Sequence, residues 1–250
     1  MITPTWHRLN FAAVDSTNDL AARQPPWTAV VAQSQRCGRG RYRRTWVSDA
    51  GGLWLSAVVP TPAPAERWSV LPLAAGWALR EVLTGFGVAG LRLRWPNDLM
   101  IGPAKLAGIL VERFEPATAV VGIGLNHANT PAAADPTLAG TATRLADLVR
   151  PLPSRDELLA ALLGRLAVAQ QRIAAGRVAE LLPALNAAWQ TGRVTVTLTT
   201  SSIPLTGVLR GVTEFGHLQF KSDTGEQREL PPTEVELLRE EPAGLRPRAP

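Results

Sequence analysis

Residues 37–46 read Cys-Gly-Arg-Gly-Arg-Tyr-Arg-Arg-Thr-Trp, and no other stretch constrains this chain as strongly. Gly38 and Gly40 open backbone angles closed to other residues and let the main chain come close to a ligand. Arg39, Arg41, Arg43 and Arg44 add planar forks suited to carboxylate or phosphate oxygens. Backbone amides in such a turn can form an anion-binding concavity. The plainer alternatives are a solvated basic hairpin tip, or an arginine–glycine segment that touches RNA. The flanking residues read as strands. Thr28 to Ala32 is a short apolar, β-branched run leading through Gln35 and Arg36 into the loop, and Gly51 to Val59 is a glycine-led strand ended by the proline-rich turn 60–64.

Upstream, Trp6 to Val14 reads as an opening strand, and Ser16 and Asp19 are spaced as a capping box that starts a short helix. Downstream, Leu71, Ala74, Ala75, Ala78, Leu79 and Val82 follow helical spacing within 66–83, and Gly85 and Gly87 end that helix. Short strands are expected at 91–95, 99–101, 105–112 and 118–125. Residues 127–136 form an alanine- and proline-rich loop, and 141–148 a short helix. Ser154 and Glu157 make a second capping box, opening an amphipathic helix to about residue 175. Another helix is expected over 178–189, bent or broken by Pro183. Successive hairpin-like connections predict an α+β fold with a mixed, largely antiparallel sheet backed by helices. From Val194 onward five short strands separated by turns predict a small β-barrel. The expected division is residues 1–190, 191–240 and a fraying tail, 241–250.

Composition excludes several classes. The chain has 250 residues, 46% of them hydrophobic, enough for one large domain with a small appendage. A single cysteine, Cys37, leaves no internal disulfide and fits a reducing compartment. No early segment reads as a secretory signal and no apolar run is long enough for a membrane span, so a cytoplasmic protein is expected. The net charge is +5, yet of 26 Lys plus Arg only Lys105 and Lys221 are lysines. A base composition that favours arginine codons is the plain explanation of this bias; a lysine that remains can also mark a place where a compact ammonium is wanted, which makes Lys105 a candidate site residue.

Five separated stretches together resemble the biotin–protein ligases. They are Asp15-Ser16-Thr17-Asn18, then Gln35 to Arg41 with Trp46 following, then Trp95-Pro96-Asn97-Asp98, then Lys105-Leu106-Ala107-Gly108-Ile109-Leu110-Val111-Glu112, and Gly122-Ile123-Gly124-Leu125-Asn126. Their order and spacing agree with the family from about residue 8 to 240. The resemblance implies a class II synthetase or biotin–lipoate ligase type of catalytic fold with an SH3-like C-terminal barrel. It implies ATP and biotin as substrates, Mg²⁺ with the polyphosphate, and a biotin carboxyl carrier protein domain as acceptor. By the same resemblance Ser16, Thr17, Asn18 and Gln35 face the ureido end of biotin. Gly38, Arg39, Gly40, Arg41, Lys105 and Gly108 complete the biotin site, with the arginines and Lys105 near the carboxylate. Arg39, Arg41, Arg44, Trp46, Asn97, Lys105 and Asn126 are expected to meet ATP. Lys105, Arg39 and Asp98 are the expected catalytic residues, with Asp98 orienting or deprotonating the carrier amine or ordering the loop after Trp95. The sequence suggests no metal ligands.

The chain departs from the resemblance in places. Some members carry an N-terminal helix-turn-helix domain, whereas here the first strand begins within ten residues of Met1, so no operator binding is expected. Arg36 and Cys37 stand where small or amide residues are common. A lipoate or octanoate ligase and a basic nucleic-acid-binding module are the rival readings, and a monomer or weak homodimer is expected. The only acid near the loop in sequence is Asp49, so the four arginines are expected to repel one another until a ligand anion orders residues 36–46.

Overall fold

Strands with apolar residues on both faces have to be covered on both sides. The runs over 53–60 and 118–125 are of that kind. In the computed structural model, which describes residues 4–62, 64–188 and 192–240, they pair in the middle of a seven-stranded sheet. In chain order the first elements are β1 (His7–Val14), α1 (Thr17–Ala21), β2 (Thr28–Gln35), β3 (Leu53–Pro60) and α2 (Leu71–Gly85). Next come β4 (Leu91–Arg94), β5 (Asp98–Ile101), β6 (Ala104–Glu115) and β7 (Thr118–Leu125), then α3 (Pro131–Ala134), α4 (Arg155–Ala174) and α5 (Leu182–Ala187). The sheet order is β1-β2-β3-β7-β6-β5-β4. The β1–β2 pair is parallel and the other pairs are antiparallel. This is the mixed, largely antiparallel sheet that the sequence predicts.

Alternation along β3, β6 and β7 divides the sheet into two faces. Leu55, Val59, Ile109, Val121 and Ile123 join Leu79 and Leu83 of α2 and Leu159, Leu162 and Leu166 of α4 in the main core. On the opposite face Val30, Val58 and Val120 pack with Ala21 under α1. Farther along that face β7 carries only Gly122 and Gly124, so its backbone has no side chains of its own there.

The capping boxes come out differently. Ser154 accepts from the Glu157 amide while the Glu157 carboxylate accepts from the Ser154 amide, closing the box that starts α4. Ser16 stands at the start of α1 without a capping bond. Its Oγ instead accepts from Arg39 Nη1 at 3.1 Å, since a charged donor makes the stronger bond. The helix expected over 66–83 begins with a separate 3₁₀ turn, Ala65–Trp68, and continues as α2. The helix expected over 141–148 is reduced to a 3₁₀ turn, Leu145–Asp147, because Thr141 and Thr143 pair through their backbone with Lys105. Pro183 lies in the first turn of α5, where its missing N–H is harmless. It therefore starts that helix, and residues 178–180 form a separate 3₁₀ turn.

The C-terminal strands are β8 (Arg193–Leu198), β9 (Ser201–Val212), β10 (Leu218–Ser222), β11 (Gln227–Leu230) and β12 (Val235–Glu240). They form an antiparallel sheet in the order β11-β10-β9-β8-β12, and it is not closed into the expected barrel. Closure would need β11 to pair with β12. Pro231 and Pro232 between them have no N–H to give, and the carbonyls of Pro232 and Val235 accept from Arg41 and Tyr42 instead. The two sheets share one core, in which Val194, Val196, Leu209 and Phe220 continue the cluster around α2. Trp95, fully buried, donates its indole N–H to Gly216 O across the junction at 3.0 Å. The boundary expected near residue 190 and the tail 241–250 lie outside the described residues.

Candidate functional site

The bare patch on the sheet is a consequence of register. Gly108 of β6 sits opposite Gly124 of β7, and Leu110 sits opposite Gly122. Side chains from α1 and the 39–47 loop lie directly on the glycines of β7. A methyl group on Gly124 would stand 2.5 Å from Trp46 Nε1, and one on Gly122 would stand 2.4 Å from Asn18 Oδ1. Glycine is required at both positions because the backbone itself is the contact surface. Over this floor lies a cleft of about 450 Å³, with contributions from α1, the 39–47 loop, the 94–98 turn, β6, β7, residues 131–142 and β12.

One end of the cleft is a closed polar network. Gln35 Oε1 accepts from the Thr17 amide at 2.8 Å and lies 2.9 Å from the Thr17 hydroxyl, and Gln35 Nε2 donates to Ser48 Oγ. Ser56 Oγ is 2.7 Å from Thr17 Oγ1 and 2.5 Å from Asn18 Oδ1. Asn18 Nδ2 donates to Glu112 Oε2 at 2.6 Å. Arg39 closes the network, paired with Asp19 at 2.6 Å and Glu112 at 3.0 Å and bonded to Ser16. Its hydrogen bond to Asp19 is the largest influence on its pKa. With Glu112 it outweighs burial and raises the guanidinium above its ordinary value.

The other end is cationic. Lys105 Nζ lies 2.6 Å from Asp98 Oδ1, and the other oxygen of Asp98 accepts from Arg94 at 2.6 Å. Asp98 is therefore an anion held between two cations. The Lys105 ammonium also lies 4.8 Å from the centroid of the Trp46 ring, within cation–π range. Trp46 rests on both Gly108 and Gly124, and its indole N–H is buried without a partner. Asn97 donates its side chain to Ile109 O, which locks the 95–98 turn onto β6. Asn126 donates to Thr143 O and accepts from Asn129, so its amide braces the segment beside Lys105.

The third wall comes from the far end of the chain. Arg41 Nη2 donates to Pro232 O at 2.5 Å and to Val235 O at 3.0 Å, and the Tyr42 hydroxyl donates to Val235 O at 2.6 Å. Burial lowers the pKa of Arg41, and Tyr42 works against that shift. Glu236, Leu237 and Leu238 follow on β12 and line the cleft. Arg44, more than half exposed at the mouth, is 4.0 Å from Glu236.

The sequence-predicted residues converge here. Ser16, Thr17, Asn18, Gln35, Arg39, Gly40 and Arg41 line this one cleft, as do Arg44, Trp46, Asn97, Asp98, Lys105, Gly108 and Asn126. Gly38 is the exception. It packs behind the loop, where a methyl group would stand 2.3 Å from Ser48 Oγ. The loop is not short of acids, contrary to the expectation drawn from Asp49. Arg39 has Asp19 and Glu112, Arg36 has Asp15, and the backbone closes on itself through Gly38 O and Trp46 N. Sequence reasoning gave no role to Glu112, Ser48, Ser56 or Tyr42. For Glu112 a signal existed, because Gly108, Leu110 and Glu112 share one face of β6 by alternation. Among the described residues no three His, Cys, Asp or Glu side chains are grouped to hold a metal. Among the same residues no helix is long and apolar enough to cross a membrane.

The profile of the Biotin/lipoate A/B protein ligase family matches residues 11–127. A biotin–[acetyl-CoA-carboxylase] ligase of Mycobacterium tuberculosis is 36% identical over 173 residues, 64% of this chain and 63% of that protein. The bifunctional ligase/repressor BirA of Escherichia coli is 37% identical over 124 residues, covering 46% of this chain and 39% of that protein. The chain thus matches less than two thirds of the length of these curated relatives. A solved biotin protein ligase from Aquifex aeolicus, in complex with biotin and ATP, superposes with a TM-score of 0.80 at 25% identity, covering 94% of this chain and 99% of that one.

Proposed function

We propose that this chain, whose residues 11–127 match the profile of the Biotin/lipoate A/B protein ligase family, couples biotin to ATP and then to a protein lysine. The first product is biotinyl-5′-adenylate, and the acceptor is a lysine of a biotin carboxyl carrier domain. One observation carries the reading. A single cleft joins a closed polar network at one end, a glycine floor in the middle and the Lys105 ammonium at the other. Biotin has that order of parts: a cyclic urea, an apolar body and tail, and a terminal carboxylate.

The residues divide the work by position. Ser16, Thr17, Asn18 and Gln35 receive the urea, which offers two N–H donors and one carbonyl acceptor. The apolar body packs against Trp46, which itself lies on Gly108 and Gly124. Lys105 draws the carboxylate and the α-phosphate together, offsetting two negative charges that otherwise repel. Asp98, fixed by Arg94, aims that ammonium. A carboxylate oxygen attacks the α-phosphorus, the bond to the bridging oxygen breaks, and pyrophosphate leaves. Arg44 stands at the mouth where the leaving polyphosphate emerges. The wall of Pro131, Leu138, Thr141 and Ala142 is largely apolar, as suits an adenine ring, and Asn126 braces it through Thr143. In the second step a neutral carrier amine attacks the acyl carbon, the bond from that carbon to the phosphate oxygen breaks, AMP leaves with the electron pair, and the proton of the amine passes to water. The single exposed cysteine, Cys37, fits work in a reducing, cytoplasmic setting.

The reading is tested by supplying labelled biotin, ATP and Mg²⁺ with a carrier domain. Label is expected on the carrier and absent from a carrier whose acceptor lysine is replaced by arginine. No label on either carrier would overturn the proposal.

A further inference from the structure

Glu112 is a half-buried carboxylate at the polar end of the cleft, on the same face of β6 as Gly108 and Leu110. It touches two groups assigned to the ligand, Asn18 and Arg39. Arg39 has a second carboxylate, Asp19, in a bidentate contact. Asn18 has no substitute for Glu112.

Counting protons across this network shows what Glu112 decides. An ionised carboxylate accepts hydrogen bonds and donates none. With Glu112 Oε2 at 2.6 Å, Asn18 must present its Nδ2, and its Oδ1 must then face Ser56 Oγ at 2.5 Å. Ser56 has one proton for two oxygens, Asn18 Oδ1 and Thr17 Oγ1. Asn18 Oδ1 has no proton to give, so the Ser56 proton goes to Asn18, and the proton in the Thr17–Ser56 contact comes from Thr17. The oxygen of Gln35 is then held by the Thr17 amide alone. If Glu112 were neutral, Asn18 could turn over, the Ser56 proton would pass to Thr17, and the Thr17 proton would pass to Gln35. One charge therefore sets the direction of a chain of four polar groups.

We propose that Glu112 is a positioning residue that sets specificity for the ligand's head group. By fixing the Asn18 amide and the direction of the Ser56–Thr17 protons, it leaves Thr17 Oγ1 and Gln35 Oε1 as acceptors toward the cleft. Acceptors there suit a ring bearing N–H donors, as a cyclic urea does, and reject a head group that has none. The inference rests on the biotin-activating reading and names the residue that separates biotin from acyl chains without a urea.

The test is biotin-dependent exchange of labelled pyrophosphate into ATP by the whole chain. In Glu112→Gln the KM for biotin is expected to rise at least tenfold, while kcat and the KM for ATP stay within threefold. Asp19→Asn, which removes the other carboxylate on Arg39, is expected to change the KM for biotin less than threefold. Asn18→Ala alone is expected to raise it about tenfold. The double variant should match the larger single effect, because Glu112 acts through Asn18. An unmoved KM in a folded Glu112→Gln, an equal rise for ATP, an equal effect of Asp19→Asn, or additive effects in the double variant would each overturn the inference. Should Glu112→Gln fail to fold, Glu112→Asp, whose shorter arm cannot reach Asn18 in the same geometry, carries the same expectations and the same reversals. Wild-type protein with no biotin-dependent exchange would remove the activity reading itself. Normal wild-type exchange with an indifferent Glu112 would remove this inference alone.

Discussion

Lys105 is where one side chain carries most of the proposed chemistry, and its surroundings explain why a lysine stands there. Asp98 fixes one side of the ammonium and the Trp46 ring covers another. A compact cation fits between them, whereas a planar guanidinium would need a wider slot. Lys105→Ala is expected to fold and to lose adenylate formation by about 3–4 kcal/mol, or two to three orders of magnitude in rate. Pyrophosphate release at the wild-type rate would take Lys105 out of the mechanism. The scarcity of lysine pointed to this residue before any motif was considered. Arg39 shows the opposite case. Its partners Asp19 and Glu112 lie 20 and 73 residues away in sequence, so a count of neighbouring charges saw an uncompensated cluster where the fold supplies two carboxylates. Local spacing reveals which groups share a strand face, but not which groups a sheet brings opposite a loop.

Among the elements, the strands were the most legible, because alternation and glycine placement act within a few residues. The Thr118–Leu125 strand, for example, forms with the expected bounds. Segments whose state depends on a distant partner were less legible. Residues 141–143 have the composition of a helix start but are held extended by the backbone of Lys105. The two candidate capping boxes separate for the same reason, since Ser16 has a competing guanidinium and Ser154 has none. The α4 box carries a prediction in pH. Hydrogen bonds from the Ser154 side chain, and then from its backbone, hold the Glu157 carboxyl below its ordinary value. A carboxyl lowered in the folded state stabilises the fold above its unfolded pKa, and that contribution is lost as pH falls through the folded value. The melting-temperature gap between wild type and Glu157→Gln should therefore be constant from neutral pH down to about pH 4.5, then close on further acidification. Thermal melts across that range check this, and a gap that widened in acid would contradict it.

At the scale of the whole molecule, the C-terminal sheet is a structural partner of the cleft as well as a neighbour of it. It buries Trp95, continues the main core, and offers β12 as the wall that Arg41 and Tyr42 hold. The sequence showed five strands there but not their open arrangement, because nothing local shows that the carbonyls of Pro232 and Val235 are taken by a loop nearly two hundred residues earlier. A chain ending at Ala188 would expose the apolar side chains now packed on Val194, Val196 and Phe220. It is expected to lose cooperative unfolding, measured by calorimetry, and not merely affinity for nucleotide. A truncated chain with a sharp transition and normal activity would make the second sheet dispensable. The most direct test of the central claim is pyrophosphate exchange with wild-type protein, ATP and one acid at a time: biotin, lipoate or octanoate. A cleft that reads a cyclic urea at one end and a carboxylate at the other predicts exchange that depends on biotin and is at least a hundredfold weaker with the other two. Exchange as fast with lipoate or octanoate as with biotin would contradict the account.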